Sequence, residues 1–180
     1  MLPAYVANMS AVKVGGGLPM DFGHVMRDGR RALGPGKTWR GFLLGGLLGT
    51  VLGGLLHAAA SASGGLLTDF GGGASWVLVA GGLAYGALLG DAAKSFLKRR
   101  LGKERGHPWR GADQLDFVLG AWALAFGAGG VAVAAGLARS NWLLDTLTLP
   151  LAVIVLVVTP ALHLATNRLG HRFGHKEVPW

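Results

Sequence analysis

The sequence predicts an all-α, polytopic integral membrane protein with about five transmembrane helices and two structured basic cytoplasmic loops. Three observations lead there. Of 180 residues, 51% are hydrophobic and only 14% charged, with a mean hydropathy of +0.44, which is too apolar for an ordinary soluble domain. Residues 42–60, 71–89, 117–137 and 147–164 contain no Asp, Glu, Lys or Arg, and each approaches the roughly 20 apolar residues that a bilayer core demands. The seventeen Lys and Arg are also segregated: six lie between positions 13 and 40, seven between 94 and 110, and three beyond the last apolar run, leaving Arg139 by itself.

The first apolar segment, residues 1–12, is short, because at about 1.5 Å per residue it falls below the hydrocarbon thickness. Charge segregation still makes it a span. Placing both basic loops and the C-terminus in the cytoplasm and the start of the chain outside requires an odd number of crossings. No secretory signal peptide is expected, since no basic region precedes the opening apolar run. Loop 13–41 is interrupted by glycines, Pro19 and Pro35, so a structured connection with one helical turn around residues 24–33 is expected.

In the second span Gly45, Gly49 and Gly53 recur every fourth residue, the spacing that lets helices approach closely. His57 reads as a hydrogen-bonding group at the interface or between helices. Loop 61–75 is a plain connector without visible chemistry. The shorter loop 138–146 offers Trp142 as an interface anchor, and Pro160 should bend the last span. His171 and His175 are four apart but lack a third ligand, so a solvated tail is expected. No repeat is present, and residues 1–180 read as a single membrane-embedded domain. The absence of cysteine excludes disulfides, thiolate metal sites and cysteine nucleophiles. A net charge of +8 gathered on one membrane face favours lipid headgroups and nucleotides over nucleic acid as partners.

Chemistry concentrates in GDAAKSFLKRRLG, from position 90, and DQLDF, from position 113. On a helix starting near Asp91, the side chains of Asp91, Lys94, Ser95 and Lys98 share a stripe. Asp113 and Asp116 repeat a carboxylate at a spacing of three where the next apolar run begins. If the two stripes face each other, three carboxylates converge among cations. That set suits Mg²⁺, with Lys and Arg left for phosphate oxygens. The plainer alternative is a juxtamembrane loop whose acids offset its bases. At the entrance to the second span, Lys37, Thr38 and Arg40 bring together cations and a hydroxyl able to meet phosphate. Snorkelling anchors beside an interfacial Trp39 explain the same residues.

Two local likenesses fail. Gly36-Lys37-Thr38 ends like a phosphate-binding P-loop, but the first glycine of that pattern falls on Arg31 and no strand precedes it. Asp28-Gly29-Arg30-Arg31-Ala32 opens like a CDP-alcohol phosphotransferase motif, yet Leu33 replaces the next Arg and the later aspartates are missing.

Taken jointly, GPGKTWRG before the second span and GDAAKSFLKRRLG with DQLDF before the fourth resemble archaeal CDP-archaeol synthases. These are CTP-dependent cytidylyltransferases related to bacterial and eukaryotic CDP-diacylglycerol synthases. YVAN, KVGGG, P-x-DFG and DGRR extend the likeness from about position 3 to the fourth span. The wider family's pattern falls on Gly90-Asp91, Ser95, Lys98-Arg99, and Asp113 with Asp116. Gln114 departs from the Arg of the bacterial pattern and Gly106-His107-Pro108 from its Gly-His-Gly-Gly run, which favours the archaeal branch and leaves His107 without a role.

The resemblance implies transfer of CMP from CTP to 2,3-di-O-geranylgeranylglyceryl phosphate, with Mg²⁺ as cofactor. It assigns Asp91, Asp113 and Asp116 to the metal. Lys98, Arg99, Lys37 and Thr38 go to the phosphates of CTP or the lipid, with Arg40 beside them, and Ser95 is a hydrogen-bond donor to a phosphate oxygen. Asp21, Arg30, Arg31 and Arg100 stand behind these, Arg100 as a headgroup ligand, with ion pairing between loops as the plainer account of all four. A CDP-diacylglycerol synthase acting on acyl phosphatidate is the alternative within the class. A small transporter would place ionisable residues inside its spans, and a mere binder of anionic lipid would not need three spaced aspartates. Oligomeric state, a homodimer included, is left open by the sequence.

Overall fold

A computed structural model describes residues 1–64, 66–67, 69–103 and 112–172. Among them are six helices: α1 (Leu2–Val14), α2 (Trp39–Ala62), α3 (Ser75–Arg100), α4 (Ala112–Ala134), α5 (Trp142–Thr146) and α6 (Leu149–Arg172). No strand occurs among the described residues beyond isolated bridges pairing Pro19 with Thr38 and Val25 with Arg31. Three helices, α2, α3 and α4, are long and apolar enough to cross a membrane. One face of α2 leaves Leu43, Leu47, Val51 and Leu55 exposed, as a surface meeting lipid tails must.

α3 is the central element, packed against α1, α2 and α4, while α6 lies against α4. Tyr5 on α1 reaches α6 through a 2.6 Å hydrogen bond between its hydroxyl and that of Thr159. The buried core is built from Val79, Leu83 and Ala87 of α3 with Phe117, Val118, Ala121 and Ala125 of α4.

Small residues set the helix separations. A Cβ on Gly45 would stand 2.9 Å from the Ala11 Cβ on α1, so the α2 glycine row works as its spacing suggests. A second row, Gly82, Gly86 and Gly90 on α3, faces α4. A Cβ on Gly82 would come within 2.9 Å of the Ala125 backbone, and one on Gly90 would overlap the Asp116 carbonyl and sit 3.1 Å from Gly120. With no side chain at these positions the two backbones nearly touch.

Several boundaries differ from the sequence expectation. Residues 90–100 are the last turns of α3 and not a loop, because nothing in that run breaks a helix and Gly90 is tolerated once α4 covers it. α4 begins at Ala112 instead of 117, so Asp113 and Asp116 stand on its first turns. No helical turn forms around residues 24–33; a tight reversal at Gly29 (φ +73°) takes its place. The short α5 was not expected, and its Asn141 cap, accepting from the Leu143 amide at 3.1 Å, is the local signal for it. Trp142 is more than an interface anchor, since its indole N–H donates to the Asp69 carbonyl at 2.7 Å.

Gly90→Val should therefore prise α3 from α4, costing about 1–3 kcal/mol of stability. The thermal midpoint of the detergent-solubilised protein should fall. Gly127→Ala, at a position with nothing within 4 Å, should leave that midpoint unchanged. Equal midpoints for both variants would contradict this account of the α3 and α4 contact.

Candidate functional site

Because Gly90 brings α3 against the start of α4, the polar ends of both helices converge. Lys94 stands between them. Its ammonium lies 3.1 Å from Asp91, 3.5 Å from Asp113 and 2.8 Å from Asp116. Lys98, one turn further along α3, pairs with Asp113 at 2.5 Å. From the loop before α2, Lys37 pairs with the other oxygen of Asp91. Three carboxylates and three ammonium groups thus alternate in one network among the described residues, all of them half-buried or better.

The loop that carries Lys37 is held by a buried carboxylate. Asp21 accepts from the backbone amides of Gly23 (3.1 Å), Leu33 (3.1 Å) and Gly34 (2.8 Å) and from the Arg31 guanidinium at 2.5 Å. Burial opposes ionisation of Asp21, but the Arg31 guanidinium and the three N–H donors outweigh it and hold the carboxyl well below its usual range. Arg100 fastens the loop to the end of α3, donating to Asp28 at 2.7 Å and to the Arg31 carbonyl at 2.8 Å. The short pairing of Met20 with Lys37, N–H to carbonyl at 2.8 Å, then aims Lys37 at Asp91. Arg100, expected to meet lipid headgroups, is instead a strap between loop and helix. Asp21 and Arg31 are likewise spent inside the loop.

Other expected residues divide in the same way. The Thr38 hydroxyl caps α2 by accepting from the Gly41 amide at 3.2 Å. Arg40 closes α1, donating to the carbonyls of Val14 at 2.7 Å and Gly15 at 2.5 Å. Ser95 donates to the Asp91 carbonyl on its own helix at 2.9 Å. The buried Nε of Arg99 meets no hydrogen-bond acceptor and lies 3.9 Å from where a Cβ on Gly34 would stand, which leaves it bonding capacity to spare. His107 lies outside the described residues.

Two residues were passed over by the sequence reading. Lys94 was seen on the stripe but given no role; a cation three residues after one aspartate, facing a second helix that starts with two more, is the signal for it. Asn8, from the YVAN stretch, lines a cleft of about 50 Å³ with Met20, Lys37, Thr38 and Asp91. A cleft of that volume is of water size. The larger cavity, about 830 Å³, lies at the opposite end of the bundle, where Arg139 is the one cation among the described residues of its wall, beside Asp69 and Asp145. A triphosphate would need more positive charge than that.

A divalent cation has a suitable donor set here in chemical terms. The carboxylates are hard oxygen donors, and Asp116 is buried with an Oδ1 that meets no hydrogen-bond partner. As arranged, however, no three His, Asp or Glu groups among the described residues surround a common vacant point, because Lys94 fills the space between them.

The whole chain, residues 1–180, matches the family model described as CarS-like, CDP-archaeol synthase. Curated relatives share that name. The protein of Methanoculleus marisnigri is 47% identical with all of both chains covered, and that of Thermococcus kodakarensis is 42% identical over all of this chain and 92% of the relative. A solved structure described as "Structural insight into an intramembrane enzyme for archaeal membrane lipids biosynthesis" is 42% identical. It superposes with a TM-score of 0.69 over 93% of this chain and 89% of that one.

The state of the Asp21 carboxyl gives the loop a defined pH dependence. Its depressed pKa contributes stability that is present above the ordinary carboxylate range near 4 and is lost as pH falls below it. After correction for intrinsic rates, amide exchange at Leu33 and Gly34 should quicken as the pH is lowered from about 5 towards 2. In Asp21→Asn, which should cost about 1–3 kcal/mol, exchange should already be fast at neutral pH. Protected amides in that variant would show that another group organises the loop.

Proposed function

We propose, from the premise that this chain belongs to the CDP-archaeol synthase family, that the network around Lys94 is its catalytic centre. The protein is a CTP-dependent cytidylyltransferase of the membrane. A phosphate oxygen of the archaeal ether lipid 2,3-di-O-geranylgeranylglyceryl phosphate attacks the α-phosphorus of CTP, the bond to the β-phosphate oxygen breaks, and pyrophosphate leaves. The product is CDP-archaeol. The observation that carries the assignment is the convergence of Lys37, Lys94 and Lys98 with Asp91, Asp113 and Asp116 where three membrane-length helices meet.

A phosphomonoester has its second pKa near 6, so the attacking group is largely dianionic at neutral pH and requires little general-base help. What the site must supply is alignment and charge. Lys37, Lys94, Lys98 and Arg99 supply cations for the triphosphate and the lipid phosphate, and Asp91, Asp113 and Asp116 would hold Mg²⁺. When bound, that ion neutralises charge developing on the leaving pyrophosphate. Thr38, Arg40 and Ser95 act one step removed: Thr38 caps α2 beside Lys37, Arg40 closes α1, and Ser95 bonds the Asp91 carbonyl within α3.

The membrane placement follows from charge. Five crossings by α1, α2, α3, α4 and α6, with the N-terminus outside and both basic segments in the cytoplasm, put the cluster at the inner headgroup level. CTP reaches it from water and the lipid phosphate from the bilayer.

Detergent-purified protein incubated with CTP and Mg²⁺ should form liponucleotide, read by mass spectrometry, from the geranylgeranyl ether phosphate in preference to diacyl phosphatidate. Asp113→Asn and Asp116→Asn keep side-chain size and remove charge, so turnover should drop at least about a hundredfold with the thermal midpoint retained. Near-parental turnover in both variants would refute the assignment of these carboxylates, and equal use of diacyl lipid would refute the tail selectivity.

A further inference from the structure

We propose that Lys94 is an exchangeable counter-ion. Its ammonium holds Asp91, Asp113 and Asp116 together in the free protein, and moves onto a substrate phosphate when those carboxylates take up a divalent cation. The proposal rests on the placement of the catalytic centre given above and adds a coupling between its two ligands.

The geometry supports it in three ways. The Lys94 ammonium lies within ion-pairing distance of all three carboxylates, at 3.1, 3.5 and 2.8 Å. A second cation placed there would meet an ammonium at close range and be repelled. Next, charges in the network balance among the described residues, with Lys37 and Lys98 at its margins. Removing carboxylates from their ammonium partners is favourable only if those ammonium groups find another anion. Finally, the side chain of Asp116 is 7% exposed and its Oδ1 is without a hydrogen-bond partner. One oxygen of the set therefore has acceptor capacity to spare.

These facts make the two ligands mutually dependent. Lys94 displaced by a cation alone would be left as an unpaired, half-buried ammonium, and a nucleotide alone would draw Lys94 away and leave three carboxylates repelling one another. With both present the partners simply exchange: carboxylates to metal, ammonium to phosphate. The flexible four-carbon stem of lysine makes the swing feasible without backbone movement. Coupling of this kind is reciprocal, so nucleotide must tighten cation binding by the factor by which cation tightens nucleotide.

Mn²⁺ binding to the full chain in detergent, followed by electron paramagnetic resonance of the free ion without nucleotide, separates the outcomes. Lys94→Met should bind Mn²⁺ at least about tenfold more tightly than the parent, and its thermal midpoint, lowered without metal, should be raised by Mn²⁺ more steeply. Lys13→Met, which removes a cation from the exposed end of α1, should match the parent, and Asp116→Asn should bind more weakly. Should Met at position 94 leave the chain unfolded, Lys94→Gln carries the same expectation. Mn²⁺ affinity in the Lys94 variants equal to or below the parent's, with Asp116→Asn still impaired, would overturn the exchange and spare the metal assignment. Failure of every chain to bind Mn²⁺ would overturn both.

Discussion

The contact on which the site depends contains no charge at all. Gly90 of α3 rests against the Asp116 carbonyl and Gly120 of α4, and only that close approach lets carboxylates from two helices share one lysine. In lipid there is no hydrophobic force to drive helices together, so glycine faces and interhelical polar contacts must do it. Here the two act on one another. The glycine row draws the axes together, and the ion pairs at its polar end oppose the repulsion that three adjacent carboxylates would otherwise create. The same row continues through Gly86 and Gly82 into the buried core of Val79, Leu83 and Ala125, which makes the charged end continuous with the most tightly packed part of the molecule.

The second half of the site is a loop, and its order comes from hydrogen bonds where a helix would use its own backbone. Residues 15–38 contain too much glycine and proline to bury an apolar face. Asp21 gathers the backbone amides that such a chain leaves unpaired, and Arg100 ties its far edge to the end of α3. Lys37 can then reach Asp91 across helices that are distant in sequence. This division of labour explains why so many basic and acidic residues near the site have their hydrogen-bonding groups already engaged within the protein. Arg31, Arg40 and Arg100 spend their guanidinium groups on carboxylate and carbonyl oxygens, a use for which arginine's planar fork is suited.

Much of this was legible in the sequence and some was not, for identifiable reasons. The apolar runs and the glycine spacing in α2 are read directly because hydropathy and small-residue periodicity are properties of one segment. The three carboxylates could be named because their spacing places them on helix faces. Lys94 could not be ranked above Lys98 from spacing alone, since both share the Asp91 stripe and only α4 decides which one it covers. The run after Gly90 reads as a separate helix in a cytoplasmic segment because its charges exceed those of any apolar span, yet charge does not end a helix when a partner helix and a strap hold it, and the run continues α3. Asp21 and Arg100 could be read either as ligands or as ion pairs between loops, because a single sequence shows the presence of a charge and not its partner.

The position of the cluster also answers why a membrane enzyme with two strongly anionic substrates keeps its spans free of charge. An ammonium or carboxylate midway across the bilayer would bear a large desolvation cost, and neither substrate phosphate descends that far, since a lipid's phosphate stays with the headgroups. Extending α3 by ten residues past Gly90 and starting α4 just before Asp113 carries the ionic side chains beyond the uncharged runs on rigid helices. A flexible loop alone would have placed them less exactingly. Beyond the uncharged runs the side chains stay paired, Lys37, Lys94 and Lys98 against Asp91, Asp113 and Asp116. Because an unpaired ion is costly where water is excluded, that one-to-one balance is what lets three lysines and three aspartates occupy so small a volume.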